Sequence, residues 1–157
     1  MKRREFLQLS SAAALTLLLG SPQGLHAEED DNEAIEIPFK EAYADATEGA
    51  KKVVKNAKEM KLNIPDAPEN GLVVPIEVEV EYPMTPQRYI KEITVLPTKN
   101  KVNKVVTAHY TPANGKAYLY VNAKLGGTQE VVILARTNDD VIFEKRKKVK
   151  VALGGCG

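Results

Sequence analysis

Apolar residues recur along this chain at two periods and in one unbroken run. After Pro38, Phe39, Ala42, Tyr43 and Ala46 return at steps of three and four, which predicts a short amphipathic helix ending near Gly49. Residues 50–58 fit either more helix or a loop, and Met60, Leu62 and Ile64 then alternate as in a strand. From Leu72 the period is two, with Ile76, Val78, Val80 and Tyr82 on one face and Glu77, Glu79 and Glu81 on the other. Further strand-like runs cover 89–96, 104–111, 116–125, 129–137 and 141–153. Turn signals separate them: Pro83, Pro97 to Asn100, Pro112 to Gly115, Gly126-Gly127 and Asn138 to Asp140. The last four runs are expected to be consecutive antiparallel hairpins.

About seven short strands at roughly ten-residue spacing, with no long helix to cross between parallel strands, predict an all-β fold. The expected architecture is an immunoglobulin-like antiparallel β-sandwich with a short N-terminal helix and a flexible C-terminal arm; a small barrel is the alternative. No internal repeat, heptad or phosphate loop interrupts the pattern, and Asn70-Gly71 and Asn114-Gly115 read as turns.

The unbroken run is Ala12-Ala13-Ala14-Leu15-Thr16-Leu17-Leu18-Leu19, preceded by Lys2, Arg3 and Arg4 and followed by a polar stretch ending at Ala27. Too short to span a bilayer, it reads as the core of an export signal cut after Ala27. Arg3-Arg4-Glu5-Phe6-Leu7 resembles a twin-arginine signal, a route that carries folded proteins; the plainer alternative is that the arginines serve general secretion. Either route leads out of the cytoplasm. The expected organisation is an export signal over 1–27, an acidic disordered leader over 28–37, helix plus sandwich over 38–147, and the end of the last strand with its arm over 148–157.

Charge and composition narrow the chemistry. The 157 residues include 22 Lys and Arg against 21 Asp and Glu, and loss of the signal turns the net charge from +1 to about −1, which argues against a nucleic-acid binder relying on a basic surface. His109 and Cys156 are then the sole His and Cys, so an internal disulfide and a Cys/His zinc site are both excluded, and no metal or cofactor is expected. All serines, Ser10, Ser11 and Ser21, lie in the signal, which removes a serine hydrolase. His109 reads as a surface side chain. Tyr82, Tyr89, Tyr110, Tyr118 and Tyr120 suit strand packing, and Glu77, Glu79 and Glu81 suit a solvated face or a surface for a basic partner.

The end of the chain differs in kind. Val149, Val151 and Leu153 point one way and lead into Gly154-Gly155-Cys156-Gly157. Glycine has no side chain to pack, so this tip is expected to be mobile, with a thiol able to enter a narrow channel of another protein. A solvated thiol titrates near ~8.5, so little thiolate exists at neutral pH and activation is left to a partner's active site. Lys147, Lys148 and Lys150 just before the arm are candidate contacts for an anion or an acidic partner, or else edge-strand lysines that block aggregation.

Gly154-Gly155-Cys156-Gly157 after a Val-x-Val strand resembles the Gly-Gly-Cys-Gly-Gly terminus of the SoxY family. So do, in order, Pro68-Glu69-Asn70-Gly71, Val74-Pro75-Ile76, Tyr82-Pro83-Met84-Thr85, Tyr110-Thr111-Pro112 with Gly115, and Thr128-Gln129, a likeness running over residues 58–157. The resemblance implies a periplasmic sulfur carrier in thiosulfate oxidation, without enzymatic activity of its own, paired with a SoxZ subunit. It implies that Cys156 is loaded as a cysteine S-thiosulfonate by the haem enzyme SoxXA and that SoxB hydrolyses off sulfate, with Gly154, Gly155 and Gly157 as the hinge. The sequence stops one Gly short of the family pattern, for which a slightly shorter reach is expected. No contact with nucleic acid or membrane is implied. The competing expectation is an exported adhesion or chaperone-like module whose Cys156 forms an intermolecular disulfide. An autonomous sulfurtransferase is disfavoured because no base or cation cluster is legible beside the thiol.

Overall fold

The computed structural model describes residues 36–152. Helix α1 (Phe39–Thr47) follows Pro38, whose φ of −60° already suits a helix start. Thr47 Oγ1 donates to the Tyr43 carbonyl in the last turn, and Gly49, at φ +68°, then turns the chain in a region that side chains disfavour. Eight strands follow among the described residues: β1 (Lys52–Lys55), β2 (Met60–Asn63), β3 (Val74–Val80), β4 (Ile90–Pro97), β5 (Val106–His109), β6 (Ala117–Ala123), β7 (Gln129–Thr137) and β8 (Val141–Val149).

They form two sheets, one ordered β1-β8-β7-β4-β5 and the other β2-β3-β6. Alternation in β3 and β6 sends Val74, Ile76, Val78, Val80, Ala117 and Ala123 into the space between the sheets. There they meet Ile93 and Val95 of β4, Val131, Ile133 and Ala135 of β7, and Phe143 and Val149 of β8. Fully burying each of the larger side chains contributes about 1.5–3 kcal/mol. This is the immunoglobulin-like sandwich expected from strand number and spacing.

The opposite face of the larger sheet is also apolar. Leu96, Val132, Leu134 and Ile142 are buried there beneath Ala42 and Ala46 of α1, so the central strands β4 and β7 are covered on both sides. The unbroken run from Val131 to Ala135 records this double burial. A register shift between Ile90 and Glu92 lets Ile90 and Ile93, three residues apart, face the same interior.

Several expectations are corrected. Residues 50–58 are neither continued helix nor plain loop: β1 lies there and pairs in parallel with β8, Lys52 opposite Val141 through Lys55 opposite Glu144. The sandwich is therefore antiparallel except at that edge, which the long path from β1 to β8 makes possible. The hairpin series is also wrong. Only β7 and β8 form one; β5 pairs with β4, and β6 crosses to pair with β3 in the other sheet. The 3₁₀ turn Pro112–Asn114, closed by Gly115 at φ +67°, carries the chain over, because the one-sided β6 needs a matching one-sided strand beside it. The strand read from Leu72 starts at Val74. Finally, the leader does not extend through 37: Ile37 bridges to Val102, and its carbonyl accepts from the Asn103 backbone N–H and side-chain amide at 3.1 and 3.0 Å. Residues 1–27 and 28–35 lie outside the described part.

Candidate functional site

Cys156, Gly154, Gly155, Gly157 and Leu153 lie outside the described residues. The structure does describe how the chain approaches them. Val149 and Val151 are buried on one side of the departing strand, as their spacing requires. The Lys150 N–H donates to the Asp66 carbonyl at 2.7 Å. The Val151 N–H donates to Thr128 Oγ1 at 3.1 Å, and the Thr128 hydroxyl lies 3.3 Å from the Val151 carbonyl, onto which it donates. Ala152, the next residue, is exposed.

Gly71 lies directly beneath this departure point. A Cβ there would sit 2.2 Å from the Leu125 carbonyl oxygen and 2.7 Å from Val151 Cγ1, so only glycine permits the approach. The Leu125 N–H donates to the Gly71 carbonyl at 2.7 Å, joining the chain before β3 to the chain after β6. Asn70 Oδ1 accepts from the Leu72 N–H at 3.0 Å, the expected turn chemistry, and this turn leaves Leu72 and Val73 66% and 60% exposed. Asn70, Gly71, Leu72, Leu125, Val151 and Ala152 thus border an open groove of about 330 Å³ from which the C-terminal segment leaves.

A second groove of about 440 Å³ adjoins the first through Lys124 and Gly126, and Lys99, Asn100, Lys101 and Val102 complete it. Its frame is a network of side-chain amides, half-buried at Asn100 and buried at Gln129. Asn100 Nδ2 donates to the Lys124 carbonyl at 2.7 Å, and Asn100 Oδ1 accepts from the Gly126 N–H at 3.0 Å and from Gln129 Nε2 at 2.9 Å. Gln129 Oε1 in turn accepts from the Lys99 N–H at 2.8 Å. The loop after β4 and the loop after β6 are held to each other by these bonds, which bring Lys99, Lys101 and Lys124 to one rim. Lys101 lies 3.6 Å from Glu36; among the described residues Lys99 and Lys124 have no ion-pair partner.

The lysines singled out from sequence are placed differently. Alternation along β8 turns Lys145 and Lys147 toward the sandwich rim, where Lys145 Nζ donates to the Met60 carbonyl at 2.6 Å and Lys147 forms an ion pair with Asp66. That hydrogen-bonded ion pair holds the Asp66 carboxyl below its ordinary range, with Lys150 adding to the effect. Lys148 and Lys150 are exposed. The run is therefore divided between surfaces and does not form one patch, whereas the groove lysines leave no local signal in the sequence because 23 positions separate Lys101 from Lys124.

Elsewhere, His109 is a surface side chain 3.6 Å from Glu92. Tyr82 packs edge-on against Phe143 at 5.6 Å, and the Tyr110 hydroxyl donates to the Tyr118 carbonyl at 2.7 Å. Tyr118 and Tyr120 depart from the packing expectation: they are 40% and 56% exposed on the outer face of the smaller sheet. Glu77 on that face accepts from Asn63 at 2.8 Å and from the Tyr118 hydroxyl at 3.0 Å, and these bonds hold its carboxyl below the ordinary range. Among the described residues no three His, Cys, Asp or Glu side chains are grouped to hold a metal.

The family model of the sulfur oxidation protein SoxY matches residues 44–156, most of the chain and including Cys156. The chain belongs to the SoxY family. The sulfur carrier protein SoxY from Chlorobium limicola f thiosulfatophilum is similar in structure, with a TM-score of 0.61 and 18% identity over 73% of this chain and 96% of that one. A superoxide reductase (neelaredoxin) from Ignicoccus hospitalis follows at a TM-score of 0.56 and 15% identity, covering 64% and 94%, and a putative superoxide reductase from Thermotoga maritima at 0.52 and 17%, covering 64% and 94%. At these identities the structural likenesses speak to the fold alone. No curated protein gives a significant match. SoxY membership supports a sulfur-carrier role in the Sox system, with Sox partners such as SoxZ. Two of the motifs that carry the SoxY resemblance, Asn70-Gly71 and Thr128-Gln129, converge on the point where the Cys156 segment departs.

Proposed function

We propose that this SoxY protein is a periplasmic, non-enzymatic carrier that binds sulfur intermediates covalently on Cys156 and presents them to partner enzymes. The observation that supports the reading most is the change at Val151: the chain is buried and bonded there and exposed at Ala152, four positions before Cys156. Four residue steps from Ala152 to Cys156 reach at most ~13 Å, enough to offer a thiol inside a partner while the sandwich stays outside.

The chemistry balances as a two-electron coupling. Thiol and thiosulfate join through a new S–S bond to give the S-thiosulfonate, releasing the thiol proton and two electrons, which pass to the haem enzyme SoxXA. Water then cleaves the terminal S–S bond under SoxB, releasing sulfate and leaving a persulfide on Cys156. The carrier supplies the nucleophilic atom and its presentation; its partners supply oxidation and hydrolysis. SoxZ is the constant partner, and Leu72 and Val73, exposed beside the departure point, offer apolar contact to a docked enzyme.

Intact-mass spectrometry of protein from cells grown with thiosulfate tests the reading. Wild type is expected to gain thiosulfonate or sulfur adducts, and Cys156→Ser none, with its fold unchanged. Equal adducts in both, or a clean disulfide dimer in the wild type, would overturn it. For location, Arg3→Lys with Arg4→Lys is expected to hold both this chain and SoxZ in the cytoplasm; export of SoxZ regardless would end the idea that it travels bound.

A further inference from the structure

The chain carries two Asn-Gly pairs, and the fold treats them oppositely. At Asn114-Gly115 the side-chain oxygen of Asn114 is drawn back to the start of its turn, where it accepts from the Thr111 N–H at 2.8 Å, and the Gly115 N–H is held by the Pro112 carbonyl at 3.1 Å. At Asn70-Gly71 the side-chain oxygen reaches forward and accepts from the Leu72 N–H at 3.0 Å. The Gly71 N–H has no hydrogen-bond partner among the described residues. The donor at Leu72 is fixed from outside the turn. Its N–H shares a peptide plane with the Gly71 carbonyl, which accepts from the Leu125 N–H at 2.7 Å. Polarising that carbonyl strengthens the N–H across the plane, so the bond from Leu125 both orients the Leu72 N–H and makes it a better donor to Asn70. Asn70 is exposed, so water and base reach it.

We infer that Asn70 is a site of self-catalysed modification, converted to aspartate and isoaspartate by the backbone of its own turn. The Gly71 nitrogen bonds to Asn70 Cγ while negative charge gathers on Oδ1, where the Leu72 N–H receives it as an oxyanion hole does. The Cγ–Nδ2 bond breaks, and the proton given up by the Gly71 nitrogen leaves with Nδ2 as ammonia. The cyclic imide left behind takes up a water: opening at Cγ gives aspartate, and opening at the main-chain carbonyl gives isoaspartate. No electrons pass to or from another molecule. Isoaspartate lengthens the main chain by a methylene immediately before Gly71, whose contacts with Leu125 and Val151 are too close to admit even a Cβ. The modification therefore loosens Gly71 from Leu125 and frees Val151, and it places a new carboxylate on the groove that Asn70 shares with Lys124.

Peptide mapping of the intact folded protein after incubation in mildly alkaline buffer tests this. Aspartate and isoaspartate are expected at position 70, forming about tenfold faster than at position 114, a difference of ~1.4 kcal/mol in barrier. In urea, where both pairs are unfolded, the two rates should converge, because the sequence Asn-Gly is then all that either site has. Leu72→Pro removes the donor and should slow conversion at position 70 about threefold to tenfold while leaving position 114 unaltered. Absence of conversion at position 70, equal rates at the two positions in the folded protein, or a preference for position 70 that persists in urea would overturn the inference. So would a folded Leu72→Pro variant that converts at the wild-type rate; should that variant fail to fold, the urea comparison decides alone.

Discussion

The two halves of β8 are held in unlike ways. From Val141 to Glu144 the strand is flanked by β7 on one side and β1 on the other, with Ile142 and Glu144 buried beneath α1. Beyond Glu144, β1 has ended, and the exposed edge is closed by separate ties: Lys145 to the Met60 carbonyl, Lys147 to Asp66, the Lys150 N–H to the Asp66 carbonyl, and Thr128 to Val151. A double ladder over a core opens only with the whole domain, whereas discrete ties open one at a time. The strand thus passes from a part flanked on both sides to one held by β7 and by single ties.

The firm half depends on a buried carboxylate. Glu144, 2% exposed, accepts from the Tyr43 hydroxyl at 2.5 Å and from Arg146 Nε at 2.7 Å. Burial opposes its ionisation, but Tyr43, Arg146 and Lys55 outweigh burial and hold the carboxyl below its ordinary range. Glu144→Ala removes the centre of this group and is expected to have the largest effect, about 3 kcal/mol of unfolding free energy by urea denaturation. Since the folded pKa lies below the unfolded value of ~4.3, the stabilisation is complete above that value and is lost as pH falls through the folded one. Glu144→Gln should therefore flatten the decline in stability as pH falls below about 4.3; an unaltered pH profile would show that the charge is not what holds this half.

Gly71→Ala comes next, at about 2 kcal/mol, because backbone must move to admit the methyl group. Hydrogen exchange should quicken at Val151 and Leu125 before it changes at Ile142. Thr128→Val is expected to cost about 1 kcal/mol and to expose the Val151 N–H. Equal loss of protection at Ile142 and Val151 in that variant would merge the two halves into one unit. The smallest effect belongs to Asp66→Asn, an exposed ion pair whose loss should leave the denaturation midpoint unchanged within error while loosening Lys150 locally.

Much of this was legible along the chain. Alternation at Ile76, Val78 and Val80 announced a strand buried on one face, Ala42 and Ala46 announced a helix with a narrow apolar stripe, and Asn114-Gly115 announced a turn. The parallel pairing of β1 was not, because four residues of mixed character carry too little periodicity, and their partner lies far along the chain. Nor was the crossing of β6 to β3, since alternation says which side of a strand is apolar and nothing about which sheet receives it. At the candidate site, the thiol and its glycines stood out by residue type, whereas Lys99, Lys101 and Lys124 gave no local signal.

By itself, then, the order of residues determined the elements, the two-faced character of most strands and the placement of a single thiol among glycines near the chain's end, because these follow from local periodicity and from side chains present or missing. Tertiary structure alone decided which strands became neighbours, that Gly71 and Thr128 meet at Val151, and that three distant lysines share one rim. Those outcomes depend on how apolar faces from remote segments fit into one sandwich, and on the amide of Asn100 and the buried amide of Gln129 finding each other across it.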